Sequence, residues 1–418
     1  MSPPLQTIAI IGSGLGGLNL AQALKNYKPS LQVTIYEKSQ DQDLKSQGFH
    51  IGINQWGQES LKEAKISGIE EIFARNTVHG FTVLDEQLHE VLRIGGPLKP
   101  GYSGSKNATA IVDRAELRSA MTKGVKIEYG KNFVKYEEKG DKVEIFFEDG
   151  SKVEADFMVG ADGCWSKVRA QLVPSIQYEP TGIISFGTLF HNYIPERSPT
   201  LAKFLKFSMI RLLSPSGYSI LIGLCNPLRG DKPILFFGLS FPESILSSEL
   251  PEGRKEALAH AKKLVHDHFH PEAAAIADGL AEEDVIFKGF YKTRTTAYQA
   301  KSPLSRIPHK RLTLLGDAAH ALNPNLRYVA MTTNKGMGGN TALKDSIDLA
   351  KSLSTASDDW SSKVVEYENI MWKRGSKEVK ESLQMSWRNH QLGWNYSIGK
   401  VFMKGLNAMF YLTGNAHD

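Results

Sequence analysis

Short apolar runs and a helical pattern alternate over the first forty residues. Thr7–Ile11 is a β-branched run, apolar side chains recur at helical spacing from Leu18 to Leu24, and Val33–Glu37 is a second apolar run. Two such runs separated by one helix are typical of a β-α-β unit of about thirty residues. The pattern therefore predicts that this segment opens an α/β domain.

The pattern changes between about residues 175 and 301. Alternating segments joined by Pro- and Gly-containing turns predict strands, and a charged segment from Glu252 to about Phe269 predicts a helix. This composition predicts an antiparallel sheet inserted into the first domain as a second one. The predicted strands are Ile183–Phe190, Phe207–Leu213, Tyr218–Leu224 and Ile234–Phe241.

After the predicted sheet, Arg311–Leu315 returns to the pattern of a buried strand, and Asn340–Leu353 predicts an amphipathic helix. The predicted domains are therefore residues 1–174 and 302–355, with segments around 75–112 on the side of the inserted sheet; an inserted domain at 175–301; and a helical region at 356–418. The tail from Trp387 to Leu412 is rich in aromatic residues and methionine. Helices packed across the domain junction are one interpretation of it, and a contact with a membrane surface or a partner is the other.

Composition narrows the class of protein. The 418 residues are 41% hydrophobic and 23% charged, which is ordinary for a globular protein and long enough for two domains. The formal charge is +5 with scattered Lys and Arg, so we expect no nucleic-acid partner. The two cysteines, Cys164 and Cys225, form no C-x-x-C, which argues against a disulfide framework, a metal site and dithiol chemistry.

Two further observations concern location. No apolar run approaches the ~18 residues needed to span a bilayer, so we expect no stable membrane insertion. The N-terminus runs directly into the first predicted strand and leaves no room for a signal peptide. Together with the low cysteine count, these observations predict a cytoplasmic protein.

Gly12, Gly14 and Gly17 form a G-x-G-x-x-G motif between the first predicted strand and helix. In this motif the first glycine permits a tight turn, the second lets the backbone approach a pyrophosphate, and the third lets helix pack on strand. Glu37 lies twenty residues beyond Gly17 and would accept hydrogen bonds from ribose hydroxyls. A carboxylate there disfavours a 2′-phosphate, so the pattern predicts an FAD or NAD type of nucleotide. The alternative is a tight structural turn beside a surface glutamate.

Two later segments identify a family resemblance. Residues 156–169, DFMVGADGCWSKVR, and residues 314–320, LLGDAAH, resemble two motifs of the single-component (group A) FAD-dependent monooxygenases, the p-hydroxybenzoate hydroxylase-like family. Arg114–Arg118 resembles the "RxxLR" helix start of that family. Residues 48–54 and Gly57–Gln58 resemble its tetracycline-inactivating and fungal polyketide-tailoring branches most. The motifs occur in the order of the family and cover the chain up to about residue 375.

The resemblance implies an α/β fold with a Rossmann-like FAD-binding domain of the GR2 type, an inserted antiparallel sheet that binds substrate, and C-terminal helices. It implies that Asp317 binds the ribityl chain of FAD, that Arg114 lies beside the ribityl and pyrophosphate, that Gly48 approaches the flavin, and that Asp162 contacts the pyrophosphate and the passing nicotinamide. Taken singly, Asp317 could instead cap a helix and Arg114 could form a surface ion pair. The implied cofactor-binding residues are Gly12, Gly14, Leu15, Gly17, Glu37, Lys38, Gly48, Arg114, Asp162, Asp317, Gly338, Gly339 and Asn340.

The resemblance also implies the reaction. NADPH or NADH, bound transiently, reduces the FAD; dioxygen adds to the flavin as a C4a-hydroperoxide; and one oxygen atom passes to a small aromatic or polycyclic substrate by hydroxylation or epoxidation. This chemistry needs no catalytic triad, so no catalytic residue and no metal are predicted. Secondary metabolism or detoxification is the expected setting, and a monomer or weak homodimer the expected state. Candidates for the substrate wall on the inserted sheet are His191, Arg211, Tyr218 and Phe237.

One departure from the family lies between His320 and the glycine cluster that begins at Gly336. Removing Ala321–Val329, nine residues, would restore the usual family length. The extra residues are either a genuine loop at the flavin edge or translated non-coding sequence. Two alternatives to a monooxygenase therefore stay open: a reductase or dehydrogenase of the same fold that inserts no oxygen, and a non-catalytic flavin-binding protein.

Overall fold

The computed structural model of the chain describes residues 4–40, 50–75, 77–78, 80–95, 109–206, 208–225, 234–286, 288–296, 302–304, 307, 311–320, 337–354 and 360–413. Gly48 and the segment Ala321–Val329 lie outside the described residues. The chain divides into two compact units. The first comprises residues 1–75, 112–179 and 294–382, and the second comprises residues 76–111, 180–293 and 383–418.

The described residues form the following strands and helices. The strands are β1 (Thr7–Ile11), β2 (Gln32–Glu37), β3 (His50–Ile53), β4 (Thr77–Val78), β5 (Gly80–Asp85), β6 (Glu90–Gly95), β7 (Thr109–Asp113), β8 (Lys126–Tyr129), β9 (Phe133–Lys139), β10 (Lys142–Phe147), β11 (Lys152–Ala155), β12 (Phe157–Gly160), β13 (Tyr178–Phe190), β14 (Ser208–Leu213), β15 (Ser219–Cys225), β16 (Ile234–Pro242), β17 (Tyr291–Thr296) and β18 (Leu312–Leu314). The helices are α1 (Leu15–Tyr27), α2 (Gln55–Glu63), α3 (Ile69–Arg75), α4 (Arg114–Thr122), α5 (Lys167–Leu172), α6 (Pro199–Leu205), α7 (Arg254–His268), α8 (Pro271–Gly279), α9 (Asp317–His320), α10 (Gly338–Ser354), α11 (Trp360–Arg388) and α12 (Gly393–Thr413).

A five-stranded sheet organises the first unit, in the order β18-β12-β1-β2-β8. Every pairing in it is parallel: Ile8 of β1 lies opposite both Phe157 of β12 and Val33 of β2. The central strand is buried, as parallel sheets require when helices cover both faces. The predicted β-α-β unit is therefore confirmed. Its helix begins at Leu15 rather than Leu18, because Gly14 is an extended N-cap that lets the helix start directly after the motif.

A seven-stranded sheet organises the second unit, in the order β17-β13-β16-β15-β14-β5-β6. β13, β16, β15 and β14 pair antiparallel, as the alternating sequence predicts. The pairing of β14 with β5 is parallel, so residues 80–95 extend the sheet before the chain reaches its main part. The buried core beneath this sheet includes Phe186, Phe237 and Leu264.

The structure contains helices that the sequence pattern did not predict, namely α2, α3, α5, α6 and α8. α8 was not predicted, because its sequence, PEAAAIADG, is mostly alanine and has little contrast between apolar and polar positions; the structure starts it at Pro271, where His270 accepts a hydrogen bond from the N–H of Glu272. Within the predicted helical region, Trp360–Arg388 forms one long helix, α11. Among the described residues, none of the helices combines the length and the apolar character needed to cross a bilayer.

Two helical glycines provide a matched test of the packing. A Cβ on Gly375 of α11 would lie 2.5 Å from the ring of His320, whereas a Cβ on Gly405 of α12 would meet no atom within 4 Å. We expect Gly375→Ala to lower the free energy of unfolding by about 1–3 kcal/mol through overpacking. Gly405→Ala should raise it by up to about 1 kcal/mol through helix propensity. Chemical denaturation of both variants checks this, and equal effects would contradict the packing described for Gly375.

Candidate cofactor-binding site

The parallel sheet of the first unit brings three motifs and Glu37 to one edge. Adjacent parallel strands end on the same side of a sheet, so the residues after β1, β2, β12 and β18 lie along one edge. These residues are Gly12, Glu37, Asp162 and Asp317. Ligands of doubly wound α/β folds bind outside this carboxyl edge. The sequence motifs are therefore neighbours in space as well as members of one family pattern.

Close approach of two backbone segments explains the first and third glycines. Gly12 has φ +105°, and a Cβ there would lie 2.5 Å from the carbonyl oxygen of Ala161. A Cβ on Gly17 would lie 2.2 Å from the carbonyl oxygen of Gly12. A side chain at either position would displace the strand ends. Gly14 differs, since a Cβ there would meet nothing within 4 Å.

Glu37 is held by the loop that precedes α1. It is 7% exposed, and its Oε2 accepts hydrogen bonds from the N–H of Ser13 (2.9 Å) and from the Ser13 hydroxyl (2.6 Å). Its Oε1 accepts a hydrogen bond from the N–H of Ser39 (2.9 Å). Burial acts to raise the pKa of Glu37, but these hydrogen bonds and the charge of Arg118 outweigh it and keep the pKa below the usual value. Glu37 is therefore a fixed, ionised acceptor.

Arg118 also holds the loop that precedes α1, a role that was not predicted. Its guanidinium donates to the Ser13 carbonyl and, at 2.7 Å, to the Ser13 hydroxyl. Ser13 thus links the arginine to Glu37, and the loop between Gly12 and Gly14 is held from both sides. A signal was present in the sequence, since Arg118 ends the "RxxLR" segment.

Asp162 uses one carboxylate oxygen and leaves the other without a partner. Its Oδ2 accepts hydrogen bonds from the N–H groups of Lys167 (2.8 Å) and Val168 (3.3 Å). Its Oδ1 is shielded from solvent and has no hydrogen-bond partner in the structure of the described residues. Burial raises the pKa of Asp162. An unsatisfied buried oxygen is costly, so this atom marks a position where a ligand group would be accommodated.

Arg169 joins the two later motifs. It is 5% exposed and donates to the carbonyl oxygens of Cys164 (2.7 Å) and Ala318 (3.0 Å) and to the hydroxyl of Tyr178 (2.7 Å). The guanidinium also lies over the Tyr178 ring, 4.9 Å from its centroid. Five fixed donors in a planar fork let one arginine satisfy several carbonyl groups at once. Arg169 therefore fixes the loop after β12 against the loop after β18.

Asp317 begins α9 and is surrounded by positive charge. Burial raises the pKa of its carboxyl group, while His320, Arg114 and Arg169 act to lower it. Burial lowers the pKa of Arg114, together with the charge of Arg118, and Asp317 and Glu37 act against this. Arg114 and Asp317 thus lie within electrostatic range of each other.

A buried ionic network supports the loop that carries Asp317. His320 Nε2 lies 2.6 Å from Asp345 Oδ2, and the guanidinium of Arg374 donates to Asp345 Oδ1 at 2.8 Å. Burial opposes both charges, yet Asp345 raises the pKa of His320, and His320 and Arg374 lower that of Asp345. Behind the strand, the hydroxyl of Tyr367 donates to the Leu314 carbonyl oxygen at 2.9 Å. Helix α11 therefore supports both β18 and the segment that follows it.

The start of α10 carries three further predicted residues. Gly338 and Gly339 open the helix, and a Cβ on Gly339 would lie 2.8 Å from Ile51. The side chain of Asn340 donates to the Gly52 carbonyl oxygen and accepts from the Asn54 N–H, each at 3.0 Å. The side-chain amide of Asn340 therefore holds the start of α10 against the end of β3. Of the remaining predicted residues, Leu15 is buried at the start of α1 and Lys38 is exposed after β2.

These residues fit the dinucleotide that the resemblance implies. No side chain of the described residues caps the amino end of α1, which leaves its N–H groups and partial positive charge for a phosphate. Gly14 faces open space where a pyrophosphate would approach the backbone. In the neighbouring loop lies Asp162 Oδ1, which has no partner among the described residues. The site therefore has the properties of a dinucleotide cradle at the carboxyl edge of the sheet.

Comparison with known proteins supports the resemblance that the motifs indicate. Residues 5–205 match the family of the FAD binding domain. A solved structure of a variant of HpxO from Klebsiella pneumoniae, complexed with FAD, superposes with a TM-score of 0.74 over 96% of this chain and 94% of that chain, at 20% identity. This similarity shows that the chain has the same fold as HpxO. The predicted fold class and FAD-binding domain are thus confirmed.

Individual relatives are named as FAD-dependent monooxygenases. The dual O-methyltransferase/FAD-dependent monooxygenase CTB3 of Cercospora beticola is 28% identical over 83% of this chain and 42% of its own length. The FAD-dependent monooxygenase cctM of Talaromyces islandicus is 24% identical over 90% of this chain and 91% of its own. The chain spans about two fifths of the length of the first of these relatives. The resemblance to FAD-dependent monooxygenases is confirmed.

Gly14 and Gly17 provide a matched test of the cradle. We expect Gly14→Ala to leave thermal stability nearly unchanged and to weaken FAD binding by about 10-fold or more, because the added methyl group would lie where the pyrophosphate approaches. Gly17→Ala should lower the free energy of unfolding by about 3 kcal/mol or more, because its Cβ would overlap a backbone oxygen. Flavin absorbance per protein after gel filtration, together with melting temperature, separates the two. Full flavin retention by Gly14→Ala would contradict the assignment.

Proposed function

We propose that the protein is an FAD-dependent monooxygenase that uses NADPH or NADH and dioxygen to hydroxylate or epoxidise a small aromatic or polycyclic molecule. The observation that carries this proposal is the meeting of three motifs and Glu37 at one sheet edge. Among the described residues, one buried aspartate oxygen there has no partner and no side chain caps the start of α1. The names of the relatives support the oxygenase activity over a simple reductase. A cytoplasmic location and a role in secondary metabolism or detoxification remain part of this proposal.

The residues of this chain hold and orient the cofactor. The amino end of α1 and Gly14 would bind the pyrophosphate, Glu37 the adenosine ribose, and Asp317 with Arg114 the ribityl chain. When bound, FAD would accept a hydride from a nicotinamide and then activate dioxygen for transfer to the substrate. Arg169 and the His320–Asp345–Arg374 network keep the two loops rigid, so the chain supplies a preorganised site with no acid or base of its own assigned to the reaction.

Arg211, in the second unit, is a candidate to bind a polar group of the substrate. It lies on β14, is 4% exposed, and donates to the Ser219 hydroxyl at 3.1 Å. Burial lowers its pKa to about 10, and no carboxylate of the described residues forms an ion pair with it. A buried charge without a counter-ion is costly to the fold. We therefore propose that Arg211 binds a phenolate, carboxylate or carbonyl oxygen of the substrate. His191, Tyr218 and Phe237 stay predictions.

Oxygen consumption tests the reaction type. We expect the purified protein to be yellow, or to become yellow on addition of FAD, because the first unit carries the motifs that would hold the cofactor. Aromatic compounds that are substrates should stimulate NADPH or NADH oxidation with matching oxygen uptake, and the product should carry an atom from isotopically labelled dioxygen. Product formation without the label would favour a reductase or dehydrogenase. A colourless preparation that cannot be reconstituted would favour a non-catalytic protein.

The role of Arg211 has its own test. We expect Arg211→Met to lower kcat/KM for a responsive aromatic compound between about 10- and 100-fold, the loss of one hydrogen bond to a charged donor. The same substitution should leave thermal stability unchanged or raise it, since an isolated buried charge is removed. Arg197→Met, an exposed arginine of the same unit, is the control. A fall in melting temperature with unaltered kcat/KM would show that Arg211 is structural.

A further inference from the structure

The last described helix, α12, is fixed to the sheet of the second unit by one face. The hydroxyl of Tyr396 donates to Glu86 Oε2 at 2.7 Å, and Lys400 Nζ lies 2.7 Å from Asp85 Oδ2. Further along, Asn407 Oδ1 accepts a hydrogen bond from the N–H of Arg93 in β6, which is the last strand of the sheet order. Residues three, four and seven apart share a helix face, so these contacts define one side of α12.

The opposite side of α12 is apolar and exposed. Its side chains recur four, seven, eight, fifteen and eighteen residues after the first, which places them within about one third of the helix circumference. We call this set the exposed face of α12. Its members and their exposed fractions are Trp394 85%, Ile398 65%, Val401 71%, Phe402 72%, Met409 47% and Leu412 88%.

The size of the exposed face exceeds what an isolated surface residue explains. Large aromatic side chains carry about 150–250 Å² each, so Trp394 and Phe402 alone expose roughly 300 Å². The largest apolar patch of a typical monomer is about 300–600 Å², and four aliphatic side chains add to the two aromatic ones here. Contiguous patches of this size mark interaction surfaces.

The charges on α12 indicate which kind of partner its exposed face would bind. Residues 393–413 contain no Asp or Glu, and their two charged side chains are Lys400 and Lys404. Lys400 is used internally with Asp85, whereas Lys404 is exposed at the border of the exposed face. Trp, Phe and Leu on one side with lysine beside them are the composition of helices that lie in the plane of a bilayer interface. An anionic lipid surface complements both the apolar groups and the lysine.

We propose that α12 is a peripheral membrane-binding helix. Its exposed face would enter the headgroup region of an anionic bilayer by about 5–10 Å, with Lys404 at the level of the lipid phosphates. The helix lies along the surface and does not cross the bilayer, because its other face stays bound to Asp85, Glu86 and Arg93. This proposal does not depend on the reaction that the first unit supports.

Vesicle flotation with the full-length protein tests the proposal. We expect wild-type protein to float with vesicles of phosphatidylcholine and phosphatidylserine, and less with phosphatidylcholine alone, because Lys404 favours anionic lipid. Replacing two large apolar groups in the double variant Trp394→Ser, Phe402→Ser should weaken binding by about 100-fold. Trp56→Ser, which removes a tryptophan that is 40% exposed on α2, is the matched control and should float as the wild type does.

Several outcomes would overturn the proposal. Wild-type protein that stays out of both vesicle fractions would do so, and so would a double variant that floats as the wild type does. Light scattering adds a distinct test: a wild-type dimer that becomes a monomer in the double variant, without vesicle binding, would assign the exposed face to a second copy of the chain. The melting temperature of each variant confirms that the protein is folded, since the replaced side chains have little packing to lose.

Discussion

The parallel hydrogen bonding of β18, β12, β1 and β2 is the constraint on which the candidate site depends. Parallel pairing in one sheet makes all four strands end at the same edge, whatever the length of chain between them. Gly12 and Asp317 are more than three hundred positions apart, yet they follow strands that end at the same edge with only β12 between them. Gly12 and Gly17 are required because backbone segments approach closely at this edge: a Cβ on Gly17 would lie 2.2 Å from a carbonyl oxygen. The geometry of the sheet edge therefore requires glycines at positions that the motif also specifies.

Much of this arrangement could be predicted from local sequence. Thr7–Ile11 is β-branched and is followed by glycines, so the strand and the turn are encoded within a dozen residues, and the structure has the strand at the predicted bounds. The antiparallel strands of the second unit follow a period of two and were predicted within a few residues, for example Ile234–Phe241 against the observed Ile234–Pro242. Glycine motifs and strand periodicity are short-range features, and that is why sequence alone reveals them.

The supporting residues could not be predicted in the same way. The role of Arg169 requires carbonyl groups of Cys164 and Ala318, which are brought together only by folding. The Ser13 bridge between Glu37 and Arg118 likewise joins segments whose separation along the chain hides the contact. Asn340 shows the converse: its position in the glycine turn predicts a cofactor contact, while part of its side chain holds β3. Side-chain partners that are distant in sequence leave no periodic signal.

The exposed face of α12 follows from a conflict between periodicity and burial. An apolar stripe normally predicts a helix face that packs inward. Here Tyr396 and Met403 pack with apolar side chains of the sheet, and Lys400 and Asn407 bind its polar groups. The inward side is therefore satisfied, and a second apolar stripe remains outside. A monomer in water gains nothing from such an arrangement, whereas a protein at a bilayer does. Aromatic and polycyclic molecules of the class proposed for the reaction also partition into lipid, so a surface-bound enzyme would work where its substrate is concentrated. The inward side of α12 therefore accounts for its contact with the sheet, and the exposed face of α12 would account for a contact with lipid.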